Sequence, residues 1–214
     1  MANKLIEFVC NGNRGRSPVA EVIANMYLRQ KDIDADYHAI SSGTAVSQID
    51  MNTVPLFIKL KIIEIAKQRD VYASVEIPVL DCAIEKNETK LIKHFYDVAV
   101  AQFSEEELRF RSHIPQALGI DAIVKVSRDQ TVARPGTLAV YSMAELNNRK
   151  VHKIYNASYH QHPVMDVLSR YATGNPEAEI PNTFGMPIEN YIAAVKQMMK
   201  EVPLAIDRLL MEQK

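Results

Sequence analysis

The chain has 214 residues, 47% of them hydrophobic, with 25 Lys and Arg against 26 Asp and Glu for a formal charge of −1. That length fits one domain, or one domain with a large insertion, and the balanced charge argues against a nucleic-acid or membrane surface as a partner. Two cysteines cannot build a disulfide framework, no stretch approaches the roughly 18 consecutive apolar residues of a membrane span, and no signal peptide is evident. A cytoplasmic protein with a reduced thiol is the expectation.

Residues 4–9 read as a first strand, ending in the run Cys10-Asn11-Gly12-Asn13-Arg14-Gly15-Arg16-Ser17-Pro18. Gly12 and Gly15 permit a tight loop, Ser17 suits an N-cap, Pro18 suits a first helical position, and the apolar spacing then predicts a helix over 18–30. A loop of successive backbone N–H groups that ends at a helix N-terminus is a concave anion site. Asn11, Gly12, Asn13, Arg14, Gly15 and Arg16 would line it, with Arg16 clamping two oxygens of a phosphate or similar oxyanion. The same field stabilises a thiolate at Cys10, and the Ser17 hydroxyl is placed to donate to the sulfur. A thiolate beneath a bound phosphate is a nucleophile aimed at phosphorus.

The pattern Val9-Cys10-x-Gly12-Asn13-x-x-Arg16-Ser17-Pro18-x-Ala20-Glu21 resembles the signature of the low-molecular-weight protein tyrosine phosphatases, a family that also holds thiol-dependent arsenate reductases of the same fold. The resemblance implies a three-layer α/β fold of the phosphotyrosine phosphatase I type, with a four-stranded parallel sheet and helices on both faces. The site would lie at the C-terminal ends of the strands. It also implies roles: Cys10 as nucleophile, Arg16 as phosphoryl binder, Ser17 as support for the thiolate, and Asn13 as the residue that holds the loop in shape. Family members often carry a second Cys before the Arg; Gly15 stands there, so a protective disulfide from that neighbour is absent.

Tyr37 to Ser41 reads as a second strand, giving a parallel βαβ unit. Ser41-Ser42-Gly43-Thr44 resembles the family segment after its second strand, but Ala45 to Leu56 lacks the aromatic residue that walls the family's aryl-phosphate cleft. Residues 46–120 depart most from the family and read as a largely helical insertion in a single 1–214 domain: a lid, an oligomer surface or a packed decoration. Within it the spacing predicts a helix over Leu56 to Gln68, a short strand over Val75 to Leu80 with Pro78 confining it to an edge, and two helices over Thr89 to Ala101 and Ser104 to Leu118. Ser104-x-x-Glu107 is a capping-box pattern and Pro115 should break or kink the second helix. Cys82 reads as a structural core cysteine. Ala122 to Val126 and Thr137 to Met143 are β-like, Ala144 to His152 helical, and Lys153 to Ala157 a fourth strand. His160 and His162 fit a solvated loop better than a metal site, and neither metal nor organic cofactor is expected.

Glu179-Ile180-Pro181-Asn182-Thr183-Phe184-Gly185 matches the family segment that carries Asp-Pro and an aromatic residue. In the family that Asp is the general acid. Asn182 occupies its position here, and an amide cannot donate the proton; Asp166, Glu177 and Glu179 are the replacements nearest in sequence. Pro187 then opens a last helix, which Pro203 should kink. Three readings follow: a phosphomonoester hydrolase working through a phosphocysteine, weak unless another acid replaces Asn182; a thiol-dependent arsenate reductase; and a phosphate-binding module without turnover. Arg14 adds a second charge that either favours a more anionic substrate or is simply solvated.

Overall fold

The computed structural model describes residues 4–50, 53–158 and 163–213. Four strands, β1 (Lys4–Cys10), β2 (Tyr37–Gly43), β3 (Thr137–Ser142) and β4 (Val164–Val167), form one sheet in the order β2-β1-β3-β4. Every pairing is parallel. Helices α1 (Arg16–Gln30), α7 (Leu168–Thr173) and α8 (Ile188–Glu212) cover one face, and α6 (Glu145–Asn156) covers the other.

The alternation of β1 explains the layering. Ile6, Phe8 and Cys10 point into the main core with Val19, Ile23 and Leu28 of α1 and Val195, Met198 and Ile206 of α8. Val9 points the other way, onto Val140, Val151 and Tyr155. Chain direction across the sheet reverses between β1 and β3, so the crevice beyond their C-terminal ends is the natural ligand site of an open parallel sheet. Cys10 and Ser142 end there.

Residues 46–120 contribute α2 (Val46–Asp50), α3 (Leu56–Gln68), α4 (Ile77–Glu85) and α5 (Thr89–Ala117). They enclose a second apolar cluster, in which Ile63, Leu80, Ile92, Phe95 and Phe103 are buried and Phe184 packs at the edge. Helix α3 takes the predicted bounds. The predicted strand over Val75 to Leu80 is instead the start of α4, because Pro78 sits in the first helical turn, where a missing N–H costs nothing. The two predicted helices over 89–118 are one helix of 29 residues: Ala99 and Phe103 continue a single buried stripe, and Pro115 falls in the last turn. This helix is about 43 Å long. Its first half lies in the second cluster, while Phe110 and Ile114 reach the main core.

Two further expectations are corrected. Lys153 to Ala157 is the end of α6, since Val151, Ile154 and Tyr155 recur at helical spacing against the sheet; the fourth strand is Val164–Val167. Ala122 to Val126 is irregular and joins no strand. Helix α8 runs on through Pro203 to Glu212. His160 and His162 lie outside the described residues, and no described helix is long and apolar enough to cross a membrane.

One buried carboxylate ties the layers together. Glu7 in β1 is fully buried and accepts hydrogen bonds from Arg134 Nη1 at 2.6 Å, Tyr155 OH at 2.8 Å and Ser42 Oγ at 2.5 Å. Removing one member of a buried ionic group leaves the others unpaired. Glu7→Ala should therefore lower the unfolding free energy by about 3–5 kcal/mol, measured as a shift in urea midpoint.

Candidate active site

The segment from Cys10 to Arg16 wraps back on itself between β1 and α1, and its carbonyl groups are turned outward. Cys10 O accepts from Thr44 N at 3.0 Å and Asn11 O from Ala45 N at 2.9 Å. Gly12 O accepts from Arg128 Nη1 at 2.7 Å, and Arg14 O from Arg111 Nη1 at 2.7 Å. Among the described residues none accepts a backbone hydrogen bond from the N–H groups of Asn11, Gly12, Asn13 or Gly15. A loop whose carbonyls are held by outside groups can turn its amides to an anion. Gly43 permits the close approach of β2: a Cβ there would lie 2.8 Å from Asn11 O and 2.9 Å from Asn13 N.

The thiol of Cys10 is 4% exposed and receives a hydrogen bond from Ser17 Oγ at 3.0 Å. Asn13, fully buried at φ 49°, takes the left-handed conformation that asparagine tolerates better than most residues. Its Oδ1 lies 2.9 Å from Ser17 Oγ, and its Nδ2 donates to Ser127 Oγ at 2.8 Å. Ser17 differs from expectation in one respect. Helix α1 already begins at Arg16, so Ser17 is not the cap; its hydroxyl sits within the first turn, directed at the sulfur.

Arg16 is buried, and its Nη1 donates to Ile180 O at 2.7 Å. Ile180 N in turn bonds Met143 O at 3.0 Å, so the end of β3 sets the position of the guanidinium. Burial pulls the Arg16 pKa downward, while Cys10, Glu107 and Glu179 oppose that shift through their charges. Arg14 is half-buried and donates to Ser104 Oγ at 3.0 Å, so it ties the loop to α5 rather than standing in solvent.

The segment Glu179 to Gly185 meets this loop through Ile180 and Thr183, but Asn182 itself is exposed. Thr183 is buried, and Phe184 packs edge-to-face on Phe103 with ring centroids 5.8 Å apart. None of the three acids nearest in sequence stands free in the loop. Asp166 pairs with Arg170 at 3.6 Å, Glu179 accepts from Glu145 N at 2.6 Å at the start of α6, and Glu177 is exposed beyond the turn at Gly174. Cys82 is half-buried on α4, not in the core, and neither cysteine is in a disulfide.

Sequence reading missed Glu107. Its residue is 7% exposed, and its carboxyl presses against the loop: a Cβ placed on Gly15 would lie 2.3 Å from Glu107 Oε1 and 3.5 Å from Thr183 Oγ1. Burial raises the Glu107 pKa, against the lowering influence of Arg111, Arg14, Arg16 and Arg128. The Ser104-x-x-Glu107 pair thus caps no helix end; both side chains meet the Cys10–Arg16 loop. A signal existed. Phe103, Glu107, Phe110 and Ile114 follow helical spacing, which places a carboxylate on an apolar stripe.

A four-stranded parallel sheet with a strand–loop–helix turn at its switch point, and a cysteine at the base of that loop, is the low-molecular-weight phosphatase fold. Residues 5–71 match the family model described as low molecular weight phosphotyrosine protein phosphatase. Solved structures share the fold at low identity. A protein tyrosine phosphatase from Entamoeba histolytica is 14% identical, with 99% of this chain and 100% of that one covered and a TM-score of 0.57. A low molecular weight phosphotyrosine phosphatase from Vibrio cholerae is 16% identical, with 99% of each chain covered and a TM-score of 0.55. An arginine phosphatase from Geobacillus stearothermophilus is 15% identical, with 98% of this chain and 95% of that one covered and a TM-score of 0.53. No curated protein matches the chain.

The contact at Gly15 is directly testable. Gly15→Ala should destabilise the protein by about 1–3 kcal/mol through overpacking. In a Glu107→Ala background the same substitution should cost much less, a coupling that a double-mutant cycle of thermal denaturation measures.

Proposed function

We propose that the protein is a cysteine-dependent phosphomonoester hydrolase that works through a phosphocysteine. The observation that carries this reading is the Ser17–Cys10 hydrogen bond of 3.0 Å at the base of a loop whose carbonyls are held by Thr44, Ala45, Arg128 and Arg111. A buried hydroxyl that donates to sulfur favours the anionic form, and an anion-binding loop brings a phosphoryl group over it. The sulfur attacks phosphorus, the S–P bond forms as the bond to the leaving oxygen breaks, and the loop amides and Arg16 balance the charge on the equatorial oxygens. Water then attacks phosphorus and releases the thiolate and orthophosphate.

Catalytic roles are assigned to Cys10, Arg16 and Ser17, and phosphate binding to Asn11, Gly12, Asn13, Arg14, Gly15 and Arg16 through the loop backbone and the Arg16 side chain. The solved relatives are named for phosphotyrosine and for arginine substrates, so the shared fold does not select the group that carries the phosphate. The arsenate reductase reading is less favoured because its resolving thiol is missing: Cys82 sits on α4, in the helical layer around the second cluster.

Hydrolysis of 4-nitrophenyl phosphate tests the proposal. Cys10→Ser should abolish turnover, and acid quenching with radiolabelled substrate should trap label on the wild-type protein alone. Ser17→Ala removes one charge-assisted hydrogen bond and should lower kcat about tenfold or more. Turnover that survives Cys10→Ser overturns the reading.

A further inference from the structure

A thiolate and an oxyanion cradle suffice for an activated ester. A poor leaving group needs a proton at its departing oxygen, worth about 10²–10⁴ in rate. Asn182 cannot supply it, and Asp166, Glu177 and Glu179 are occupied elsewhere or exposed, as described above. Glu107 differs from all of them. It reaches the loop from α5, against Gly15 and next to Thr183, where the 180–185 segment meets the cradle. Its carboxyl makes no direct ion pair with a described residue, although four guanidinium groups influence it.

Resting on the phosphatase reading, we propose that Glu107 is the proton donor and acceptor of the reaction. Its protonated carboxyl gives its proton to the leaving oxygen as the P–O bond breaks and Cys10 becomes phosphorylated. The resulting carboxylate takes a proton from water as that water attacks phosphorus and the S–P bond breaks. Each cycle consumes one ester and one water, releases one alcohol and orthophosphate, and returns Glu107 to its protonated form.

The surroundings suit that role. Charged and titratable groups face Glu107 from each packed element: Arg111 on its own helix, Arg14 and Arg16 on the loop and α1, Arg128 before β3, and Tyr191 on α8. Burial outweighs the four arginines and raises its pKa, the direction a general acid requires. The buried Tyr191 hydroxyl has no hydrogen-bond partner among the described residues and feels the charge of Glu107. The glycine at position 15 is also explained, since any side chain there would take the carboxyl's space.

The test is kcat across aryl phosphates from dinitrophenyl to phenyl, whose leaving group has a pKa of about 10. Wild type should be nearly flat across the series. Glu107→Gln should remain within about threefold of wild type on the dinitrophenyl ester and fall about 10²–10⁴-fold on phenyl phosphate. Glu107→Asp should recover part of that loss. Wild-type kcat on phenyl phosphate should fall as pH rises through the raised Glu107 pKa, and Glu107→Gln should lose this alkaline limb. Vanadate inhibition retained in Glu107→Gln shows that the cradle is intact. A uniform loss across the series, an equally steep slope in wild type, or a slope that steepens in Glu179→Gln instead overturns the assignment. Those outcomes leave the phosphatase reading standing if turnover still requires Cys10; wild-type turnover independent of Cys10 overturns both.

Discussion

The fixed orientation of four carbonyl groups governs this structure. A backbone loop can offer its amides to an anion only if its carbonyls are satisfied elsewhere, and an orphaned buried carbonyl costs about 1–3 kcal/mol. Thr44 and Ala45 hold the first two carbonyls, Arg128 the third, and Arg111 that of Arg14. These supports come from the end of β2, the segment before β3, and α5. The cradle is therefore a product of the assembled fold and not of local sequence alone. Asn13 and Ser17 complete it from within, and Glu7, one step below through Ser42, anchors the sheet on which it stands.

Helix α5 is the element that separates this protein from a bare four-stranded scaffold. One of its faces gives Ser104 to Arg14, Glu107 to Gly15, and Arg111 to the carbonyl of Arg14. These positions lie on successive turns, so a single helix brings three polar groups against one loop. The same helix belongs to both apolar clusters, joining the helical layer of 46–120 to the sheet.

Much of this was legible in the sequence where the chemistry is local. The strand, the loop and the helix start at Pro18 sit within a few residues of one another and follow from strand and helix-start preferences, although the positive φ falls on Asn13 and not on Gly12 or Gly15, and the helix begins at Arg16, ahead of Ser17. Other features failed for physical reasons. Ile154 and Tyr155 fall in a run that reads as a strand, yet with Val151 their spacing serves a helix against Val9 and Val140. Ser104 and Glu107 have the chemistry of a cap, but the partner of Ser104 is 90 residues away. Pro78 reads equally as a strand edge or a helix start, and the apolar neighbours across α5 decide it. Nothing local states that the carboxylate of Glu107 and the glycine at 15 fill each other's space.

A helix shared between two clusters also sets how the molecule loses function on heating. Sub-global opening tends to release whole cooperative units while the rest stays folded. If the layer built from α3 to α5 opens before the sheet, the thiol, Arg16 and the β1–α1 turn remain on the sheet with their supports from Thr44, Ala45 and Arg128, while Ser104, Glu107 and Arg111 leave the loop with the helix. The protein would then pass through a state with the Cys10 thiol in place on the sheet and the Cys10–Arg16 loop slack, well below the temperature at which the parallel strands come apart.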